Sequence, residues 1–445
     1  MEKTRIRMIS LGCAKNRVDS EFLLGRLQEA GMAIAGEEET ADAVIVNTCS
    51  FLQSACEEAI DVILECAEQK RAGRVKAVLV SGCLPNRYGE DLAREMPEID
   101  GVISPGAYDE VAEFVREALD KKSPSMLSGK GYLGSKAPRI LTNAGHYAYI
   151  KISDGCDNRC SYCMIPDIRG PHASKSIEDV LDEAGRLVGA GVKELVVVAQ
   201  DPTRYGTDLY GKPFLGELLK KIAEMDKLMW LRLMYAYPSR VDDELIGLFS
   251  DGLKGRLLPY LDLPMQHGSA KVLLAMNRLG NPESIIEVVE KLRRARPGFV
   301  IRTTFMVGFP GESESDFQEL MDFIRIVRPQ RAGVFRFSPE EGTLAASMPG
   351  QVPEEEKTER EREVMSLLAD ISLEYNESRI GEVTTVMVDG PSEESELLVA
   401  ARSYAEAPEE DGHILIGDST LAPGSVLKAR ITSAAEYDLG ADVVE

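Results

Sequence analysis

The sequence predicts an α/β chain in three parts: an N-terminal doubly wound α/β domain, a central partial (β/α)6 barrel and a small C-terminal all-β barrel. Three observations predict it. Short, nearly continuous apolar runs alternate with helical patterns through the first part. Six more strand-like runs with helical patterns between them begin at Ala148. The last stretch, from Asn376, turns to short β-type runs only.

In the first part, "IRMISLG" ends at Gly12, "ADAVIVNT" at Thr48 and "VKAVLVSG" at Gly82, and helix-like stretches such as "FLQSACEEAIDVILECAEQK" follow. Apolar strands without polar alternation belong to parallel sheets covered on both faces. The loose, Gly- and Ser-containing stretch Lys121–His146 has the composition of a linker. The barrel strands are expected at "AYIKIS", "ELVVVAQ", "WLRLMYA", "LPYLDLPM", "FVIRTTFMVG" and "AGVFRFS". The stretch "PEEEKTEREREVMSLLADISLEYNESR" is expected to form a solvated amphipathic helix carrying i,i+4 ion pairs. The tail runs "GEVTTVMVDG", "ELLVAARS", "HILIGD" and "SVLKARITSAAEYDLGADVVE" suit a small barrel. The expected boundaries are 1–120, 121–146 for the linker, 147–375 and 376–445.

No run of 18 apolar residues exists, and "MEKTRIRMISLGC" is too short and polar for a signal peptide, so a cytoplasmic protein is expected. In a reducing compartment eight cysteines point to metal binding or catalysis rather than disulfides. The net charge of −23 disfavours nucleic acid as a direct partner, because like charge repels a phosphate backbone.

Six of the cysteines form two sets. Cys13, Cys49 and Cys83 each follow a predicted strand, in "SLGC", "VNTC" and "VSGC". Carboxyl ends of strands in a doubly wound sheet share one edge, so three cysteines there can converge on one point. Cys156, Cys160 and Cys163 lie in "DGCDNRCSYCMIPDIRG" with C-x3-C-x2-C spacing. Zinc with His172 as fourth ligand is one reading of this set. A fully ligated ferredoxin-like cluster lacks a fourth cysteine at suitable spacing. A four-iron cluster with three cysteine ligands leaves one iron open to a small molecule. Cys56 and Cys66, inside a helical stretch, are expected to be core or helix-surface residues.

The C-x3-C-x2-C motif, with Tyr162 before its last cysteine and at the end of a first barrel strand, resembles the radical S-adenosylmethionine (SAM) superfamily. The resemblance implies SAM on the open iron and its cleavage to a 5′-deoxyadenosyl radical. "TTFMVGFPGES", with Gly308, is similar to the glycine-rich SAM-contacting strand of that superfamily, and Gln200 with Asp201 ends the second strand where polar SAM contacts lie. Tyr162, Gln200 and Gly308 are therefore the expected cofactor contacts.

The whole chain resembles the methylthiotransferases, which combine a three-cysteine N-terminal domain, a radical-SAM barrel and a small β domain called TRAM. This resemblance implies two [4Fe–4S] clusters, one on each cysteine set, and replacement of C–H by C–S–CH3. It also implies a reduced flavodoxin- or ferredoxin-type electron donor. A MiaB-like branch modifies adenosine in tRNA, and a RimO-like branch modifies the β-carbon of an aspartate in small-subunit ribosomal protein twelve. "SLGCAKNRVDSE", "LPMQH" ending at His267 and "GVFRFSPEEGT" resemble the second branch.

Charge points the same way. From Asn376 onward there are fifteen acidic and four basic residues, a net of −11, with clusters in "SEESE" and "PEEDG". A tRNA-gripping domain should be basic, whereas an acidic one suits a basic ribosomal protein, free or ribosome-bound. Glu393, Glu394, Glu396, Glu409, Glu410 and Asp411 are expected to contribute to that docking.

Overall fold

The computed structural model describes residues 3–36, 39–104, 106–120 and 138–444. Most of the expected linker, 121–137, lies outside the described residues.

The N-terminal sheet comprises β1 (Arg5–Ser10), β2 (Ala33–Ile34), β3 (Ala43–Thr48), β4 (Ala77–Gly82) and β5 (Gly101–Ile103). Their order is β2-β1-β3-β4-β5 and every pairing is parallel. β3 and β4 are buried at every position, as their apolar runs require. Helices Ala14–Glu29 and Val111–Leu119 cover one face, packing on Ile45 and Leu79. Helix Gln53–Arg71 covers the other, packing on Val44, Val46, Val78 and Val80. Cys56 and Cys66 are buried in this second layer.

The central sheet has six parallel strands: β6 (Tyr147–Lys151), β9 (Glu194–Val198), β10 (Trp230–Leu233), β11 (Leu257–Asp262), β12 (Val300–Val307) and β13 (Arg331–Arg336). A two-stranded ribbon, β7 (Ser153–Asp154) with β8 (Ala173–Ser174), brackets the cysteine loop. The order β13-β12-β11-β10-β9-β6 follows the chain and does not close, so this is a partial barrel. Its outer face is covered by its own helices. Its inner face is filled by the other two domains. Tyr149, Val196, Met234 and Tyr260 share one core with Val18 and Phe22 of helix Ala14–Glu29 and with Ala405 and Ala407 of the C-terminal domain.

The C-terminal domain is a closed barrel of β14 (Val383–Pro391), β15 (Val399–Arg402), β16 (Ile414–Ile416), β17 (Val426–Ala434) and β18 (Leu439–Val443), in the order β14-β15-β16-β18-β17. Its hold on the central barrel is ionic and buried. Glu194 accepts 2.8 Å bonds from both Arg232 and Arg402, and Arg402 also pairs with Asp389 at 2.7 Å. Glu406 takes Arg379 at 2.7 Å and Arg331 at 3.0 Å. Helix Glu354–Ser378 is amphipathic with an i,i+4 pair, Arg360–Glu356, but it is not merely solvated. Lys357, Arg360, Val364 and Leu368 are buried, and Arg360 reaches Glu312 at 2.8 Å. The helix continues past Asn376, whose amide donates to the carbonyl of Ala435 in the barrel.

The expected docking role of "PEEDG" is overturned. Glu409 pairs with Arg17 and accepts from the Tyr147 hydroxyl. Glu410 takes Arg302 at 2.7 Å and Tyr235 at 3.0 Å, and Asp411 takes the Tyr260 hydroxyl at 2.6 Å. Glu410 and Asp411 reach into the open lumen and meet a cation and phenols of the barrel, and the exposed Glu409 is tied to the N-terminal helix through Arg17, so all three carboxylates are engaged within the molecule. The "SEESE" loop leaves its Glu393, Glu394 and Glu396 exposed with no ion pair among the described residues, whereas Glu409, though exposed, is paired with Arg17.

Candidate active site

The two cysteine sets are positioned by different means. Cys13 caps helix Ala14–Glu29, Cys49 follows β3, and Cys83 opens helix Cys83–Tyr88 after β4. Their approach depends on the preceding glycines. A Cβ on Gly12 (φ +90°) would lie 2.7 Å from the Cβ of Cys49, and one on Gly82 (φ +93°) would lie 2.4 Å from the Thr48 carbonyl. Only glycine lets these strand ends come so close. Cys156, Cys160 and Cys163 sit in one loop between β7 and helix Ile165–Arg169. Asp201 holds that loop to the end of β9 by accepting from Asn158 at 2.9 Å and pairing with Arg240.

All six cysteines line a single cavity of about 420 Å³ between the N-terminal domain and the carboxyl ends of the barrel strands. Burial pushes the Cys49 thiol up to about 11 and the Cys163 thiol up to about 12, with neighbouring cysteines adding to both. Arginines stand beside the sulfurs. Arg169 donates to the Cys83 Sγ at 3.3 Å, and it is held by Asp19 at 2.7 Å and Asp154 at 3.2 Å. Arg278 lies 3.9 Å from the Cys160 Sγ and stacks 4.1 Å from the Tyr237 ring centre. Burial works to raise the Asp154 carboxyl, but its partners Lys151 and Arg169 outweigh desolvation and hold it well below the usual range. A continuous polar chain therefore joins the Cys83 side of the cavity to Gln200, whose amide donates to Asp154 at 2.8 Å.

Tyr162 and Gln200 line the cavity, and the Gln200 Oε1 is buried without a hydrogen-bond partner. Gly308 does not line it. Gly308 faces Lys357, whose Cγ would lie 2.3 Å from a Cβ, and Thr304 and Met306 of the same strand reach the cavity instead. His172 is committed elsewhere, with its Nε2 3.1 Å from the Ser174 hydroxyl and 3.7 Å from Asp208, so it is no fourth ligand. His267 is fully buried and accepts from the Ser269 N–H at 2.9 Å, a structural position.

Sequence reasoning missed several lining residues. Arg159, Tyr235 and Gln266 line the cavity with φ of +49°, +65° and +72°. Non-glycine residues in this region cost about 1–3 kcal/mol each and gather at functional sites. Lys15 is the other omission; its ammonium lies 3.4 Å from the Tyr235 ring centre. Five cations line the cavity, Lys15, Arg159, Arg169, Arg278 and Arg336, and no Asp or Glu does so among the described residues. In a chain of net charge −23 that is a local reversal of sign, suited to anionic occupants. Two sets of three thiols within such a cavity fit a pair of three-cysteine iron–sulfur clusters. Among the described residues, no three Cys, His, Asp or Glu side chains converge tightly enough for a single ion, and a four-iron cube spaces its ligands wider than that.

Comparison with known proteins decides the family. Residues 150–324 match the Radical SAM superfamily, 5–104 an uncharacterised family named UPF0004, and 380–444 the TRAM domain. A protein of Pelotomaculum thermopropionicum named ribosomal protein uS12 methylthiotransferase RimO is 48% identical over 99% of both chains. The chain belongs to the RimO family of radical-SAM methylthiotransferases. A RimO of Pelobacter propionicus is 44% identical over 100% of this chain and 99% of its own. Among solved structures, the radical SAM methyltransferase TsrM of Kitasatospora setae, with tryptophan and a SAM analogue bound, superposes with a TM-score of 0.56 at 14% identity. It covers 88% of this chain and 79% of TsrM. At that identity the likeness shows the fold alone. The RimO assignment carries the α/β architecture with its closed five-stranded TRAM barrel, and among the described residues no helix is long and apolar enough to cross a membrane.

Proposed function

We propose that this protein methylthiolates the β-carbon of an aspartate in small-subunit ribosomal protein uS12, with domain limits 1–120, 121–146, 147–375 and 376–445. The observation that carries the proposal is the joint cavity: two cysteine triads, one from each of two domains, face the same cationic space. Cys156, Cys160 and Cys163 would hold the [4Fe–4S] cluster that takes SAM, and Cys13, Cys49 and Cys83 would hold a second, the one that carries the sulfur to be inserted. When bound, these groups supply a hydrogen-abstracting radical, the sulfur, and the methyl group of a further SAM.

The chain's own residues do the rest. Each triad supplies three thiolates and leaves one coordination position open. Arg169 and Arg278 place fixed positive charge and N–H donors beside sulfurs of each set, which favours the thiolate form. Gln200, its amide anchored on Asp154, forms part of the wall beside the local triad. Tyr162, Tyr237 and Phe335 wall the cavity with apolar surface, which keeps water from a reactive site. Electrons come from a reduced flavodoxin- or ferredoxin-type donor, and the enzyme works in the cytoplasm beside the ribosome. The tRNA reading has less support, since the relatives above carry the uS12 name and the chain is strongly acidic.

The test is mass spectrometry of uS12 from cells with and without this enzyme. One aspartate should gain about 46 Da, the mass of SCH2, in its presence only. Unmodified uS12 together with a new methylthio group on tRNA adenosine would move the enzyme to the other branch.

A further inference from the structure

The cavity that should receive an aspartate side chain is lined, among the described residues, by five cations and no carboxylate, but most of those cations are already engaged. Arg169 is held by Asp19 and Asp154. Arg278 donates to the Pro264 carbonyl and lies on the Tyr237 ring. Arg336 pairs with Glu354 at 2.7 Å. Lys15 and Arg159 are left without a carboxylate among the described residues, and they stand on different domains.

Lys15 is held in place without being neutralised. It lies two residues after Cys13 in the first turn of helix Ala14–Glu29, half-buried, with its ammonium over the Tyr235 ring. Tyr235 is itself fixed, its hydroxyl donating to Glu410 of the C-terminal barrel. A ring face attracts a cation but accepts no conventional hydrogen bond, so the three N–H donors of Lys15 remain available. Arg159 is exposed in the loop of the other triad.

We infer that Lys15 binds the side-chain carboxylate of the target aspartate and so fixes which carbon meets the sulfur-bearing side of the cavity. The inference rests on the aspartate-modifying reading. The β-carbon of aspartate is bonded directly to its carboxylate carbon, so an ammonium that grips the carboxylate fixes the β-carbon as well. Lys15 lies beside Cys13, on the triad proposed to carry the sulfur. The same grip gives specificity, because a neutral amide in place of the carboxylate forfeits the charge-assisted bond. Lys15 is thus a specificity-determining residue, and Tyr235 with Glu410 positions it.

The experiment uses the cluster-loaded full chain and two uS12 peptides, one with the target aspartate and one with asparagine in its place. Binding of each is measured by fluorescence anisotropy for wild type, Lys15→Gln, Lys15→Arg and Arg159→Gln, with iron content as the check on loading. Wild type should prefer the aspartate peptide by about 10- to 100-fold, the range of one charge-assisted hydrogen bond. Lys15→Gln should lower aspartate-peptide affinity to the asparagine level while asparagine-peptide affinity stays put. A structural defect would instead weaken both. Lys15→Arg should keep most of the preference. A Lys15→Gln variant that retains the preference, or an Arg159→Gln variant that alone abolishes it, overturns the inference while leaving the substrate reading intact. Wild type that yields no methylthiolated product from the aspartate peptide overturns the substrate reading itself, and the role of Lys15 falls with it.

Discussion

The two cysteine triads face one cavity but are made by opposite strategies. Cys156, Cys160 and Cys163 need only one loop to come together. Cys13, Cys49 and Cys83 are separated by 36 and 34 residues of chain and meet only because β1, β3 and β4 lie side by side in a parallel sheet. The local triad inherits its geometry from a few backbone angles. The assembled one inherits it from a folded domain, so anything that shifts a strand end shifts a ligand. The same cavity thus combines a site that is robust to distant change with one that is sensitive to it.

Removing each triad separately gives the largest effect. Loaded wild type should hold about eight irons, as two four-iron clusters. Changing Cys156, Cys160 and Cys163 to Ala should halve the iron and abolish SAM cleavage. Changing Cys13, Cys49 and Cys83 should halve the iron and abolish methylthiolation while SAM cleavage persists. If the second variant keeps all its iron, the strand-end triad is not a ligand set and the comparison collapses. Cys56 and Cys66, buried against Val44 and Val80 away from the cavity, provide the control, and their double Ala variant should keep its iron.

A subtler substitution sharpens the contrast. Gly12→Ala and Gly82→Ala replace no cysteine, yet each puts a methyl where the neighbouring strand end already lies, 2.7 Å from Cys49 Cβ or 2.3 Å from Asn47 Oδ1. Positive φ adds to the strain at both. Each should lower iron toward half with SAM cleavage retained, because only the assembled triad is disturbed. Iron and SAM cleavage falling together in parallel would mean that the two sites are not independent.

What the sequence disclosed follows the same division. The local triad was legible because its ligands and spacing lie in one stretch. The assembled triad was legible only through the recurrence of cysteine after apolar runs, which works because parallel strands announce themselves by continuous apolarity. Tyr235, Gln266 and Arg159 left no mark. Their left-handed conformations are imposed on ordinary side chains by tertiary contacts, and no glycine signals them. Gly308 was placed on the cofactor wall because its strand does end there, but its missing side chain serves the packing of Lys357. The "PEEDG" loop misled for a related reason. Composition counts charges and cannot say whether Arg17 and Arg302, 392 and 108 residues earlier, will fold back onto them.

The smallest effects on iron content and SAM cleavage should come from the two acidic loops, which extend the contrast between local and assembled features to the C-terminal barrel. Asp411 is nearly buried against Arg302 and Tyr260, so Asp411→Asn together with Glu410→Gln leaves Arg302 with Asp262 alone, at 3.3 Å. Breaking a buried pair by removing one partner costs about 3–5 kcal/mol, so thermal unfolding of this variant should begin at clearly lower temperature. Glu393, Glu394 and Glu396 have no such partners, and exposed charge changes usually stay within about 0.5 kcal/mol. Changing all three to Gln should leave the melting curve in place. What should change is the rate of capture of basic uS12, because exposed rim charge acts mainly on association. The loss should be a few-fold at low salt and should vanish toward 1 M, where the Debye length falls from about 10 Å to about 3 Å. Stopped-flow binding at two salt concentrations measures it. A capture rate that ignores both the substitutions and the salt would show that the remaining acid on this barrel only solubilises it, and that substrate recognition lies at the cavity mouth alone.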